Sequence, residues 1–322
     1  MKRFILNILY FFIPFLALAY FIDIFISVNV KKSNSYTKEY PVWNAIIDGK
    51  VNSDIVIYGS SRAWVQIDPA MITDSFGVPT YNLGIDGSNF WLQYLRHNLL
   101  LKFNRKPKLI IHSLDIFTLQ KKKELSNPDQ FLPYMLWNNE MKNSLIGYDG
   151  FTFFDFHIPL LRYYGKFDAV KTAVKLFIQP DANAAERIKG YQGQNLLWNS
   201  DLEKAKLAMK TYKTSIDTSS LILFEKYLHD CISDNINVVF VYTPEYIEGQ
   251  KFTENRSEIL CIFQQLSKKY KIPFYDFSND SISFKKQYFY NALHLNKTGA
   301  ELFTNKLIDT LKKCNGETLH WK

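Results

Sequence analysis

The chain has 322 residues, a hydrophobic fraction of 47%, an aromatic fraction of 16% and a formal net charge of +8. That is apolar material for one large domain or two small ones, and it excludes a largely disordered chain. Three scattered cysteines, Cys231, Cys261 and Cys314, exclude a disulfide framework and a metal cluster; they read as buried free thiols, with one bridge open in an oxidising compartment.

The first predicted element is an anchor over residues 1–30. Lys2 and Arg3 precede residues 4–22, nineteen residues without a charge, and apolar character resumes after Asp23 in Ile24-Phe25-Ile26. As a helix this stretch rises about 28 Å, enough for the hydrocarbon core of a bilayer. Pro14 is tolerated in such a helix. A cleaved signal peptide and a buried core helix compete with this reading, but the stretch is long for a signal and lacks a small-residue cleavage site. Lys2 and Arg3 favour a cytoplasmic N-terminus, although Lys31 and Lys32 flank the other end. A single-pass protein follows, with its main domain in the periplasm or at the cell surface. The positive charge comes in short runs such as Lys121-Lys122-Lys123. These read as solvated surface with an attraction for anionic lipid or polymer, and not as a nucleic-acid interface.

Residues 31–50 are expected to be a tether, because 34–41 are polar with turn residues. After it come short β-rich runs at 54–58, 80–83, 109–111, 238–242 and 273–276. Continuous apolar runs of this kind mark parallel strands buried on both faces. Helical patterns lie at 91–102, 221–232, 254–270 and 298–312; in the last, Ala300, Phe303, Leu307, Ile308 and Leu311 recur at helical spacing. The alternation predicts an open five-stranded parallel sheet with helices on both sides over 51–322, a three-layer α/β/α sandwich. Residues 120–215 break the rhythm. They are helical in places and rich in aromatics such as Tyr134, Trp137, Phe153, Phe154 and Trp198. They form an insertion that caps a substrate cleft, packs a small core of its own, or does both.

Tyr58-Gly59-Ser60-Ser61-Arg62 ends the first strand. A nucleophilic hydroxyl needs an exposed place at the end of a rigid element, and Ser61 would have one if it opens the next helix. A plain helix cap is the competing reading. Tyr81-Asn82-Leu83-Gly84-Ile85-Asp86-Gly87-Ser88 follows the second strand and could bring a backbone N–H to an oxyanion; its glycine spacing is not that of a dinucleotide site. His294 precedes the last helix. In a helical turn, residue 291 would share its face and set its tautomer, and a structural hydrogen bond is the alternative. His157, beside Asp155, and His229, beside Asp230, read as structure or surface. His97, His112 and His320 show no ligand spacing, and neither metal nor cofactor is expected.

Taken together, the serine after the first strand, the glycine after the second and the block Asn291-Ala292-Leu293-His294-Leu295-Asn296-Lys297-Thr298-Gly299-Ala300 resemble the SGNH/GDSL hydrolase superfamily. The likeness is to its membrane-anchored envelope branch, similar to DltD-like and alginate-acetylation-type proteins. It covers residues 51–118 and 236–312. It implies flavodoxin-like strand order in the sheet, Ser61 as nucleophile, His294 as base and Gly87 with the Ser61 N–H as oxyanion donors. Ser60 stands where the family often has aspartate, and Arg62 and Asp115 are carried over beside it on the oxyanion and substrate side. Two positions depart from the pattern. Asp115 lies in the region where the family has a donor asparagine, and Asn291 stands where it has the acid. Asp86 and Asp115 are then the candidates to orient His294, unless a Ser–His dyad suffices or catalysis has been lost.

The resemblance implies an O-acyl esterase or O-acetyltransferase acting on acylated envelope or exported polysaccharide, beside a membrane-bound acyltransferase. The alternatives are a catalytically degenerate protein that keeps the fold to bind glycan or assist polysaccharide assembly, and a plain membrane-tethered structural domain.

Overall fold

The computed structural model describes residues 2–87, 89–180 and 187–314. His320, Ser88 and the side chain of Cys314 lie outside the described part. The first elements are α1 (Lys2–Val30), α2 (Ser35–Ile47), β1 (Ile55–Tyr58), α3 (Ser61–Gln66), α4 (Pro69–Phe76), β2 (Thr80–Asn82), α5 (Phe90–Phe103) and β3 (Leu109–Leu114). Short helices follow: α6 (Leu132–Met135), α7 (Asn139–Leu145), α8 (Phe153–His157), α9 (Phe167–Ile178) and α10 (Asp201–Ala208). The chain closes with α11 (Thr218–Ser233), β4 (Asn237–Tyr242), α12 (Ile247–Phe252), α13 (Arg256–Tyr270), β5 (Phe274–Asp276), β6 (Phe289–Asn291), β7 (His294–Leu295) and α14 (Lys297–Cys314).

The chain divides into two compact units, one of residues 1–44 and 123–186, the other of 45–122 and 187–322. The second holds a five-stranded parallel sheet in the order β2-β1-β3-β4-β5, the flavodoxin-like order. Alternation along the strands explains its layers. Ile55, Ile57, Leu109, Ile111, Val239 and Val241 face a core completed by Phe303, Leu307 and Leu311 of α14. Tyr58, His112 and Phe240 point the other way, among rings from α5 and α11: Phe90 to Phe224 is 4.7 Å between centroids, and His112 to Tyr227 is 5.4 Å. Helices therefore cover both faces, and the strands' C-terminal ends carry the loops that hold Gly59, Asp115 and Thr243.

In the first unit, α9 packs along α1. Arg162 donates to Asp23 of α1 at 2.5 Å, both side chains fully buried, and the Ser27 hydroxyl lies 2.8 Å from that of Tyr163. Residues 35–47 are helical, where the sequence suggested a tether. The physical reason is the spacing of Tyr40, Trp43 and Ile46, all buried, which outweighs the polar residues between them. Trp43 packs on Phe131 and donates its indole N–H to Gln130 Oε1 at 3.0 Å. The insertion expected over 120–215 is shared between the units. Residues 123–186 belong with α1, and 187–215 belong with the sheet. Cys231 is buried, as expected of a free thiol, whereas Cys261 is an exposed one.

Candidate active site

The turn from β1 into α3 sets the first group. Gly59 has φ +148°, and a side chain there would meet the Ser113 carbonyl oxygen at 2.7 Å, so only glycine lets the chain turn this close to β3. Ser60 is the helix cap: its hydroxyl accepts from the Arg62 N–H at 3.4 Å and donates to Asp115 Oδ2. Ser61, the first residue of α3, is left free to face outward. Asn82, the last residue of β2, holds the short helix, donating to the carbonyls of Ala63 and Ile67 at 2.8 Å each while its own oxygen accepts from the Gly84 N–H at 2.9 Å.

A β-hairpin sets the second group. Residues 291 and 294 are cross-strand partners of β6 and β7, where a helical turn was expected. The cause is the Asn291 side chain: Oδ1 accepts from the backbone N–H of Leu293 at 3.0 Å and of His294 at 2.9 Å, closing a tight turn. Asn296 then caps α14 by accepting from the Gly299 N–H at 3.0 Å. Gly299 lies so near Tyr288 that an added Cβ would sit 2.3 Å from its carbonyl oxygen.

The two groups meet. Ser61 Oγ lies 2.7 Å from His294 Nε2, and His294 Nδ1 lies 2.9 Å from Asn291 Oδ1. Two backbone donors already fix that amide oxygen as an acceptor, so the carbonyl and not the NH2 faces the ring. The ring then carries its proton on Nδ1 and offers the Nε2 lone pair to the Ser61 hydroxyl. Tyr290 stacks on the imidazole at 5.4 Å and 8°. Burial pushes the His294 pKa down to about 3, and the Arg62 guanidinium adds to the shift. At neutral pH the ring is therefore an uncharged base.

Four expected assignments need correction. Arg62 is not on the substrate side. The residue is 2% exposed, and its guanidinium donates to Glu245 Oε1 at 2.5 Å and to Thr243 Oγ1 at 3.1 Å, bracing α3 from beneath. Asp115 neither orients His294 nor faces a substrate. It is buried, accepts from Ser60 and, at 2.7 Å, from the Phe117 N–H, and burial raises its pKa against the pull of Arg62. Ser60 turns inward to Asp115, for the same reason. Asp86 acts on Tyr290, whose phenol is held above its ordinary value mainly by burial and then by that charge. Gly87 has φ +61° in the loop after β2 and lines a small cavity of 100 Å³ with Asn89, Phe117 and Lys122.

A larger cavity of 390 Å³ opens beside the hairpin. Its lining includes Asn291, Ala292 and Leu293 of the hairpin and Ile116 and Phe117, which directly follow Asp115. Residues 187–199 run past the same loops. Arg187 lies over the Trp64 ring at 4.0 Å, Gln192 N–H donates to the Trp64 carbonyl at 3.2 Å, and Asn199 N–H donates to the Tyr290 carbonyl at 2.8 Å. Glu245, Tyr290 and this strap carried no signal in the sequence, because each acts through a partner far away in the chain.

No family model matches the chain, and no curated protein matches it. Among solved structures, an acetyl xylan esterase aligns with 80% of this chain and 99% of its own, at 10% identity and a TM-score of 0.41. A GDSL-like lipase from Bacteroides thetaiotaomicron aligns with 87% of this chain and 98% of its own, at 12% identity and a TM-score of 0.36. Likeness this remote carries no argument about chemistry, which rests on the geometry above.

Proposed function

We propose that this chain is a membrane-anchored serine esterase or O-acyltransferase of the SGNH type, acting on cell-envelope or exported polysaccharide. The observation that carries the chemistry is the unbroken run from Ser61 Oγ to His294 Nε2 and from His294 Nδ1 to an amide oxygen pinned as acceptor. Ser61 Oγ attacks the acyl carbonyl carbon while its proton passes to Nε2. The oxyanion is met by the N–H groups of Ser61 and Gly87. Collapse expels the alcohol, which takes the proton from Nε2, and leaves an acyl group on Ser61. Water then releases the acid, or a sugar hydroxyl takes the acyl group, with His294 again the base.

Asn291 fits a slow version of this chemistry. Its oxygen sets the tautomer but brings no full negative charge to steady an imidazolium, and the corresponding change in a serine protease costs about 10⁴ in rate. The 390 Å³ cavity is of the size that holds a small ligand, and its position beside residues 291–293 suits either the acyl or the sugar side of an ester.

Retention of α1 as an anchor is supported by Asp23 and Ser27. Both are built into the first unit, and removing α1 would leave the buried Arg162 without its carboxylate. An extracytoplasmic site beside a membrane-bound acyltransferase follows from the resemblance and the direction of the anchor. The test is labelling by a serine-directed fluorophosphonate. Wild type is expected to label, and Ser61→Ala and His294→Ala are expected not to. Absence of labelling in a folded wild-type chain overturns the enzyme reading in favour of a glycan-binding protein.

A further inference from the structure

Helix α9 has two apolar sides, and only one of them is covered. Ala173 and Leu176 are buried, and the helix packs along α1, with Phe177 against Phe25 at 5.1 Å between centroids. On the outward side, Phe167, Val174 and Ile178 stand at i, i+7 and i+11, a spacing that puts them in one stripe. Phe167 is 73% exposed and Ile178 68%, which is far from what a soluble helix shows to water. Lys171, on the same side between Phe167 and Val174, and Lys175, to one flank, are both exposed. An apolar stripe with lysines within it and on one flank suits a helix lying in a membrane interface, where the ammonium groups reach the headgroups and the stems stay with the chains.

What covers the stripe is indicated by its neighbour. Residues 10–30 of α1 form an apolar helix of mean hydropathy 2.2, long enough to span a bilayer. Phe21 and Val28 of α1, on the same side of that helix as Phe25 by spacing, are also exposed. Where α1 meets the rest of its unit, Tyr20 packs edge-on to Trp137 at 4.9 Å, the aromatic pairing suited to a headgroup boundary. The one carboxylate in that part of α1, Asp23, is neutralised by the buried Arg162 and so presents no bare charge to lipid. We infer that α9 is a second membrane element: its Phe167–Val174–Ile178 stripe rests in the lipid leaflet at the C-terminal end of α1. Residues 123–186 then form a platform on the bilayer, and α1 is more than a flexible leash.

The test uses the full chain in vesicles of phosphatidylethanolamine and phosphatidylglycerol, with the native cysteines replaced by alanine. Phe167→Cys, Val174→Cys and Ile178→Cys each carry an environment-sensitive nitrobenzoxadiazole label, and some lipids carry a nitroxide at a shallow acyl position. Ile222→Cys on α11, a residue 65% exposed in the other unit, is the control. The expected result is blue-shifted emission and several-fold stronger lipid quenching at 167, 174 and 178 than at 222. Equal quenching at all four positions overturns the inference. So does a blue shift without lipid quenching, which would mean that protein, such as a second copy of this chain, covers the stripe.

Discussion

Asn291 offers one oxygen to three N–H groups, and that sharing decides how His294 can act. Replacing it by a carboxylate keeps the acceptor and adds the charge that an imidazolium needs. Asn291→Asp is therefore expected to raise kcat/KM for a p-nitrophenyl ester on the order of tenfold or more. It is also expected to lift the acid limb of the profile from near 3 toward the ordinary histidine range. The wild type should hold its kcat/KM between pH 8 and 5, where a histidine of ordinary pKa would have lost about thirtyfold. A wild-type acid limb near 6.5 would contradict the assignment of a low-pKa base. Ser61 and His294 were legible in the sequence because each sits at a boundary the chain announces, a strand's end and a helix's start. The place of Arg62 was not, since its partner Glu245 lies 183 positions away. Arg62→Met leaves Glu245 buried with only Arg256 at 3.3 Å and Tyr242 beside it, and is expected to cost about 3–5 kcal/mol in a urea titration.

At the scale of elements, the parallel strands could be read from continuous apolar runs punctuated by proline and glycine, whereas their order came from the family resemblance. Residues 35–47 could not: their polar residues mask a buried side that is evident only once Phe131 and Gln130 are seen against Trp43. The hairpin at 289–295 reads as a helical turn in the sequence, because three-residue spacing brings side chains together in both. The β1–α3 turn gives the sharpest test at this scale. Gly59→Ala meets both a positive φ and the Ser113 carbonyl, and is expected to cost about 1–3 kcal/mol and to abolish fluorophosphonate labelling even where the chain remains folded. In the other unit, Arg162→Met is expected to lower the thermal midpoint of the detergent-solubilised chain, and adding Asp23→Asn should recover part of the loss, because the carboxylate is then no longer left buried and unpaired. Equal loss in the single and double variants would contradict this.

For the molecule as a whole, the buried His97 and His112 and the half-buried His294 set the response to acid. Burial holds His97 down to about 4, against the opposing charges of Asp230 and Asp234, and holds His112 and His294 down to about 3. The unfolded chain binds protons at these sites from about pH 6.5 downward, while the folded chain does not until near 3–4. Stability is therefore full above that window and is lost progressively as the pH falls through it. His112→Phe is expected to flatten the decline by up to about 1.4 kcal/mol per pH unit, read from urea midpoints at pH 7, 6 and 5. The sequence showed these rings as histidines without ligand spacing. It could not show that two of them are packed among Phe90, Phe224 and Tyr227, which come from helices far apart in the chain.

Ser61 as the acyl-accepting atom is the statement from which the rest follows, and mass spectrometry reads it directly. The full chain is mixed with p-nitrophenyl acetate, quenched in acid within the first turnover and digested. The expected result is one acetyl group on the peptide containing Ser61, on that hydroxyl and not on Ser60, and none in His294→Ala. An adduct on another residue, or none while p-nitrophenol is released at the enzyme's rate, would contradict the account.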